Sequence, residues 1–141
     1  MDWIECTEEY VLSAMPSEVR GAYDKWLVVY PIKSGRLGKL VGQVVADFRS
    51  GLAANPNMVL EDGDDLLPEQ CVTHATTIMY YHLMLEMGVA VNMSAQTAFS
   101  SAQVYLRRLY TSEALVAGVA MSRTPSYKAA VRRQSRTVSG V

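Results

Sequence analysis

The sequence predicts an all-α fold: a small four- to five-helix bundle with an extended basic C-terminal tail. Three observations lead there. Residues 34–54 carry an apolar stripe at helical spacing, start and stop signals punctuate the chain at helix-length intervals, and no run of strand length alternates apolar with polar residues convincingly. A chain of 141 residues is the size of one domain, and 50% apolar with 19% charged residues is the composition of a folded body. The expected division is a helical domain over 1–121 and a flexible or partner-ordered tail over 122–141.

Each element has its own signal. Thr7 before Glu8 and Glu9 starts a short first helix, because the hydroxyl caps free N–H groups and the acids suit the positive helix end. Ser17 and Glu18 behind Pro16 start the next, which runs through Tyr23, Trp26 and Leu27 and stops before Pro31. Leu27-Val28-Val29-Tyr30 is the one β-like stretch, and it is short. The clearest helix is Ser34 to Ala54. Leu37, Leu40, Val41, Val44, Val45, Phe48 and Leu52 form its stripe, with Lys39, Gln43, Asp47 and Ser50 opposite. Gly35, Gly38, Gly42 and Gly51 weaken its intrinsic propensity, so packing must hold it, and small residues admit a close neighbour.

Asn55-Pro56-Asn57 ends that helix and opens an acidic loop over 55–67. Pro68, in the favoured first-turn position beside Glu69, starts a long helix with Cys71, Val72, Ala75, Ile78, Met79, His82 and Leu83 as its stripe. Gly88 closes it. Ser94 is placed to cap the last helix, with Phe99, Ala102, Leu106 and Leu109 on one face, Tyr105 beside them, and Arg107 and Arg108 elsewhere. From Met121 the periodicity is lost.

No constellation for catalysis, metal or cofactor is expected. His74 and His82 are separated by about 12 Å of helical rise, too far to share a metal. The expectation is that His82 pairs with Glu86 one turn on and His74 fills a polar gap in packing. Glu61, Asp62, Asp64 and Asp65 lack the alternation and distal Glu of an EF-hand, which leaves a solvated loop or one facing a basic partner. Cys6 and Cys71 read as buried free thiols. His74 can meet Cys71 along one helix face, but inside a core stripe that pairing is packing rather than nucleophilic chemistry. Phosphate loops and nucleophile elbows are missing. Met79, Met84, Met87 and Met93 suit a plastic core or an oligomer interface.

No apolar run is long enough to span a membrane, and the acidic start, Met1-Asp2-Trp3-Ile4-Glu5, is unlike a signal peptide, so a cytoplasmic site of synthesis and action is expected. Charge is uneven. Five of the thirteen basic residues and none of the fourteen acids lie in 122–141. That tail is the candidate partner-binding segment, through Arg123, Tyr127, Lys128, Val131, Arg132, Arg133 and Arg136. The light surface charge also points to an oligomer.

Residues 10–110 resemble, in layout, the small helical head–tail connector (adaptor, or head completion) proteins of tailed bacteriophages. The features are the Gly38 to Phe48-Arg49 register ending at Asn55-Pro56-Asn57, the acidic loop, Leu67-Pro68 opening a long helix rich in Ala, Tyr and Leu, and Tyr105-Leu106-Arg107-Arg108-Leu109-Tyr110 in the final helix. The resemblance implies a structural virion protein, not an enzyme. It implies a homo-oligomeric ring, commonly of twelve copies, between the portal protein and a downstream neck or tail-completion protein. DNA would pass through the lumen without sequence-specific binding. The protein would be assembled in the host cytoplasm and sit at the head–tail interface, with its C-terminal segment reaching the portal. The Arg-rich tail departs from that pattern, leaving portal, neighbour or DNA as its target. Glu61, Asp62, Asp64 and Asp65 are the inter-subunit candidates. The competing reading is a small nucleic-acid-binding helical protein acting through the tail, which the net-acidic body argues against.

Overall fold

A computed structural model of the protein describes residues 2–111; positions 112–121 of the expected helical domain and the whole tail lie outside them. At 71% helix, with two strands of three residues each, the fold is all-α. Its helices are α1 (Glu8–Ala14), α2 (Ser17–Val29), α3 (Arg36–Ala53), α4 (Glu69–Met87) and α5 (Met93–Tyr110). A 3-10 turn, Pro31–Lys33, joins α2 to α3. The long helices α3, α4 and α5 all pack on one another, α1 leans on α3, and α2 lies on α4.

The predicted stripes become the core. Leu37, Val41, Val44, Val45, Phe48 and Leu52 of α3 are buried, and Leu40 is half-buried at the rim. From α4 come Cys71, Val72, Ala75, Ile78, Met79 and Leu83, and from α5 Ala102 and Leu109. α3 and α5 pack closely at Gly51: a Cβ there would lie 3.0 Å from Leu109 Cβ. Tyr110 reinforces the crossing by donating its hydroxyl to the Asp47 carbonyl at 3.0 Å. Tyr80 similarly ties α4 to α1, donating to the Val11 carbonyl at 3.2 Å.

Several helix ends follow the local signals. Thr7 caps α1, its hydroxyl accepting from Tyr10 N–H at 3.3 Å. Gly88 ends α4 at φ 74°, a left-handed conformation that side chains resist, and Val89 N–H returns to the Met84 carbonyl at 3.0 Å. Three expectations are corrected. The last helix is capped by Asn92, whose side chain accepts from Ala95 N–H at 2.8 Å, and Ser94 lies inside the first turn. Asn92 competes better because it stands one residue outside the helix, where backbone is still extended. Pro68 precedes α4 rather than occupying its first turn. As expected, α2 runs on through Leu27, Val28 and Val29 and stops before Pro31.

The third correction is a small antiparallel ribbon. β1 (Trp3–Glu5) pairs with β2 (Leu66–Pro68), with Ile4 opposite Leu67. Two backbone bonds extend it, from Cys6 N–H to the Asp65 carbonyl (2.7 Å) and from Glu69 N–H to the Asp2 carbonyl (3.0 Å). The ribbon straps the N-terminal segment to the end of the acidic loop. Three residues are too few for an alternation pattern to show in sequence.

Candidate functional site

One cation anchors the acidic loop. Arg49 projects from the last part of α3, donating from Nη1 to the Leu66 carbonyl at 2.6 Å and from Nη2 to the Glu61 carbonyl at 3.0 Å. The planar fork spends itself on backbone oxygens and leaves the carboxylates outside. Glu61, Asp62 and Asp64 are exposed and Asp65 is half-buried. Among the described residues none of these four is in an ion pair, and no three His, Cys, Asp or Glu side chains converge on a metal-sized site. Val59, at 85% exposed, stands just before them. Beside the loop, an open groove of about 780 Å³ runs along α3 from Gly38 to Arg49, with Thr7 and Glu8 across it.

A second surface lies before the other end of α3. In α2, Tyr23 and Trp26 are buried. Lys25, Val28 and Val29 follow helical spacing on the opposite face, and the chain then turns through Ile32. Val28 is 81% exposed and Ile32 is 92% exposed, with Val29 and Tyr30 also open to solvent. The Lys33 ammonium lies 5.4 Å from the ring centroids of both Trp26 and Tyr30, a cation–π seat at the edge of this apolar face. Composition and motifs assign this face no role. Its signal was present: Trp26 to Tyr30 is apolar on every side of a helix, more than one buried face needs.

The two thiols and His74 are held among packed side chains. His74 stacks on Tyr105 at 4.0 Å between centroids, and Tyr105 hydroxyl lies 3.9 Å from Cys71 Sγ, so one tyrosine touches both residues. Burial pushes the Cys71 thiol up to about 11, slightly offset by the Tyr105 hydroxyl. Burial, with Asp65 nearby, likewise takes Cys6 to about 11. Both thiols are free and buried. Burial also lowers His74.

His82 is exposed and does not join the core. Its ring meets the edge of Phe99 at 5.3 Å, beside the Tyr81–Phe99 stack at 3.9 Å. The expected His82–Glu86 pair is replaced by Arg36–Glu86, with 2.6 Å between Nη2 and Oε2. That approach is a charge contact without hydrogen-bond alignment. Arg36 wins because a permanent cation from the start of α3 reaches a partly buried carboxylate. Of the methionines, Met79 is core, Met84 and Met87 are half-buried, and Met93 is exposed. Arg123, Tyr127, Lys128, Val131, Arg132, Arg133 and Arg136 lie outside the described residues. None of the described helices is long and apolar enough to cross a membrane. Compared with family models, curated proteins and solved structures, the chain matches none.

Proposed function

We propose that the protein is a structural assembly component, a head–tail adaptor of a tailed bacteriophage that forms a ring between portal and tail. The observation that carries this reading is the pairing of two chemically different exposed surfaces on one small helical body. One is apolar with lysines, at Lys25 to Lys33; the other is acidic, at Glu61 to Asp65. A closed ring needs two unlike patches on each copy, since every copy offers one face to a different face of its neighbour. The layout resemblance of residues 10–110 supplies the portal and neck as neighbours, and the basic residues from Arg123 to Arg136 supply a second attachment point.

The described body gives little support to a nucleic-acid function: from Ser50 to Leu106 there is no Lys or Arg. Nucleophilic chemistry at Cys6 or Cys71 is disfavoured because burial keeps both thiols protonated.

The deciding experiment is native mass measurement with and without portal protein, on the full chain and on a chain truncated after Met121. The full chain should join the portal in a fixed multiple, and the truncated chain should keep its helical spectrum and melting behaviour yet lose attachment. Indifference to portal together with tight binding of duplex DNA at physiological salt would replace this reading with the nucleic-acid one.

A further inference from the structure

The charges of the folded body are sorted along the chain. Between Asp24 and Asp47 stand Lys25, Lys33, Arg36 and Lys39 with no acid among them. Between Ser50 and Leu106 stand six carboxylates and no Lys or Arg. Arg36 is engaged by Glu86, and Asp24, the acid nearest the apolar face, is held by Arg20 at 3.2 Å. The end of α2 and the turn after it therefore present exposed Val28, Val29 and Ile32 among lysines. The loop after α3 presents exposed Val59 beside Glu61, Asp62 and Asp64.

We propose that these two faces bind each other between copies: Lys25, Val28, Val29 and Ile32 of one chain seat on the Val59–Asp65 loop of the next. The inference rests on the ring reading above and names its interface. Each face supplies what the other lacks, an apolar centre with the opposite charge around it. Burying the valines and isoleucine against Val59 removes apolar surface from water, and the lysines approach carboxylates that have no partner within the described body. The loop is preorganised for this, since Arg49 already fixes its backbone at Glu61 and Leu66, so little ordering remains to be done on binding. The two faces are unlike and belong to different elements, one at the end of α2 and its following turn, the other in the loop after α3. The contact is therefore head to tail, the kind that generates rings or filaments.

The test is crosslinking of two variants, Ile32→Cys and Val59→Cys, each at a site more than 80% exposed where folding is unaffected. Cys6 and Cys71 are buried and contribute little background. With a short bifunctional maleimide, the mixture should give a covalent pair while neither variant alone does. Adding Lys25→Glu to the Ile32→Cys chain should lower the yield about tenfold, and Asp62→Lys on the Val59→Cys chain should recover much of it. Raising salt should lower the yield as well. Crosslinking of Ile32→Cys with itself would mean that like faces meet, which overturns the proposal. So would a mixture yield no higher than that of a pair placed at unrelated exposed sites. If the wild-type chain instead sediments with anionic vesicles and the mixture fails to crosslink, the apolar face is a lipid seat. If the chain joins portal protein but the mixture fails, the adaptor reading survives and this interface does not.

Discussion

Cys6 and Cys71 keep their protons because a thiolate in the core would be stripped of water. An unfolded thiol ionises near 9.0, whereas both folded thiols ionise near 11. Between those values the unfolded chain has released protons that the native chain retains, so stability should fall as pH rises from about 9 to about 11. A thiol reagent should leave both residues unmodified in the native protein and label both in urea; rapid native labelling would contradict their burial. His74 acts on the acid side. Its folded pKa lies below the ordinary 6.5, so below pH 6.5 the unfolded chain takes up a proton that the buried ring resists. Stability present above that value should decline as pH falls, and His74→Phe, which keeps a ring against Tyr105, should flatten the decline. Urea midpoints measured across pH check both slopes. Arg49 is different in kind, since it orders a loop rather than fills a core. Arg49→Ala should cost roughly 1 to 3 kcal/mol through its two charge-assisted bonds. It should also speed proteolytic cutting between Pro56 and Leu66. Arg49→Lys should rescue only part of this, because an ammonium has no fork with which to span two carbonyls.

At the scale of the element, α3 packs on α1, α4 and α5, and that packing holds it in spite of its glycines. Phe48 is fully buried in its C-terminal half, so Phe48→Ala should cost about 3 to 5 kcal/mol in chemical denaturation. Gly51 is the more specific test of the α3–α5 crossing. A methyl group there meets Leu109 Cβ at 3.0 Å, and both atoms are fixed close to backbone. Gly51→Ala should therefore destabilise by about 1 to 3 kcal/mol, although alanine is the better helix former. Gly42→Ala meets nothing within 4 Å and should stabilise or be neutral. If the two substitutions behave alike, the close crossing is wrong. Asn92→Ala should cost about 1 kcal/mol and Ser94→Ala much less, because the cap belongs to Asn92.

The whole molecule separates its stabilising interior from its interacting surface. The core is drawn from α3, α4 and α5 with α1 and α2 leaning on them, while Lys25, Val28 and Ile32 at the end of α2 and its following turn and Glu61, Asp62 and Asp64 in the loop stand exposed outside it. Reversing charge at Glu61, Asp62, Asp64 and Asp65 should leave the melting temperature nearly unchanged, since these side chains make no ion pairs among the described residues. Assembly should weaken, and more in low salt than in high salt, because exposed charges are screened. Light scattering across ionic strength reads this directly; identical assembly at all salt concentrations would make the loop a solvated one.

The sequence by itself determined the helix count, the α3 stripe down to its residues, the stop at Asn55 and the left-handed end at Gly88. All of these follow from local rules: side-chain period, capping chemistry and the steric freedom of glycine. Tertiary structure decided the rest, because those features depend on residues distant in sequence. The ribbon joining Trp3–Glu5 to Leu66–Pro68 forms only when α3 returns the chain to its start, and each strand is too short to announce itself. Glu86 pairs with Arg36, fifty positions away, rather than with His82 one turn back, because helix packing delivers a permanent cation to it. Arg49 reaches the loop carbonyls by the same means. The apolar face of α2 was written in Leu27-Val28-Val29-Tyr30, yet sequence alone could not say which of these residues the core would take. Packing buried Trp26, left Val28, Val29 and Ile32 in water, and so fixed which surface is free for a partner.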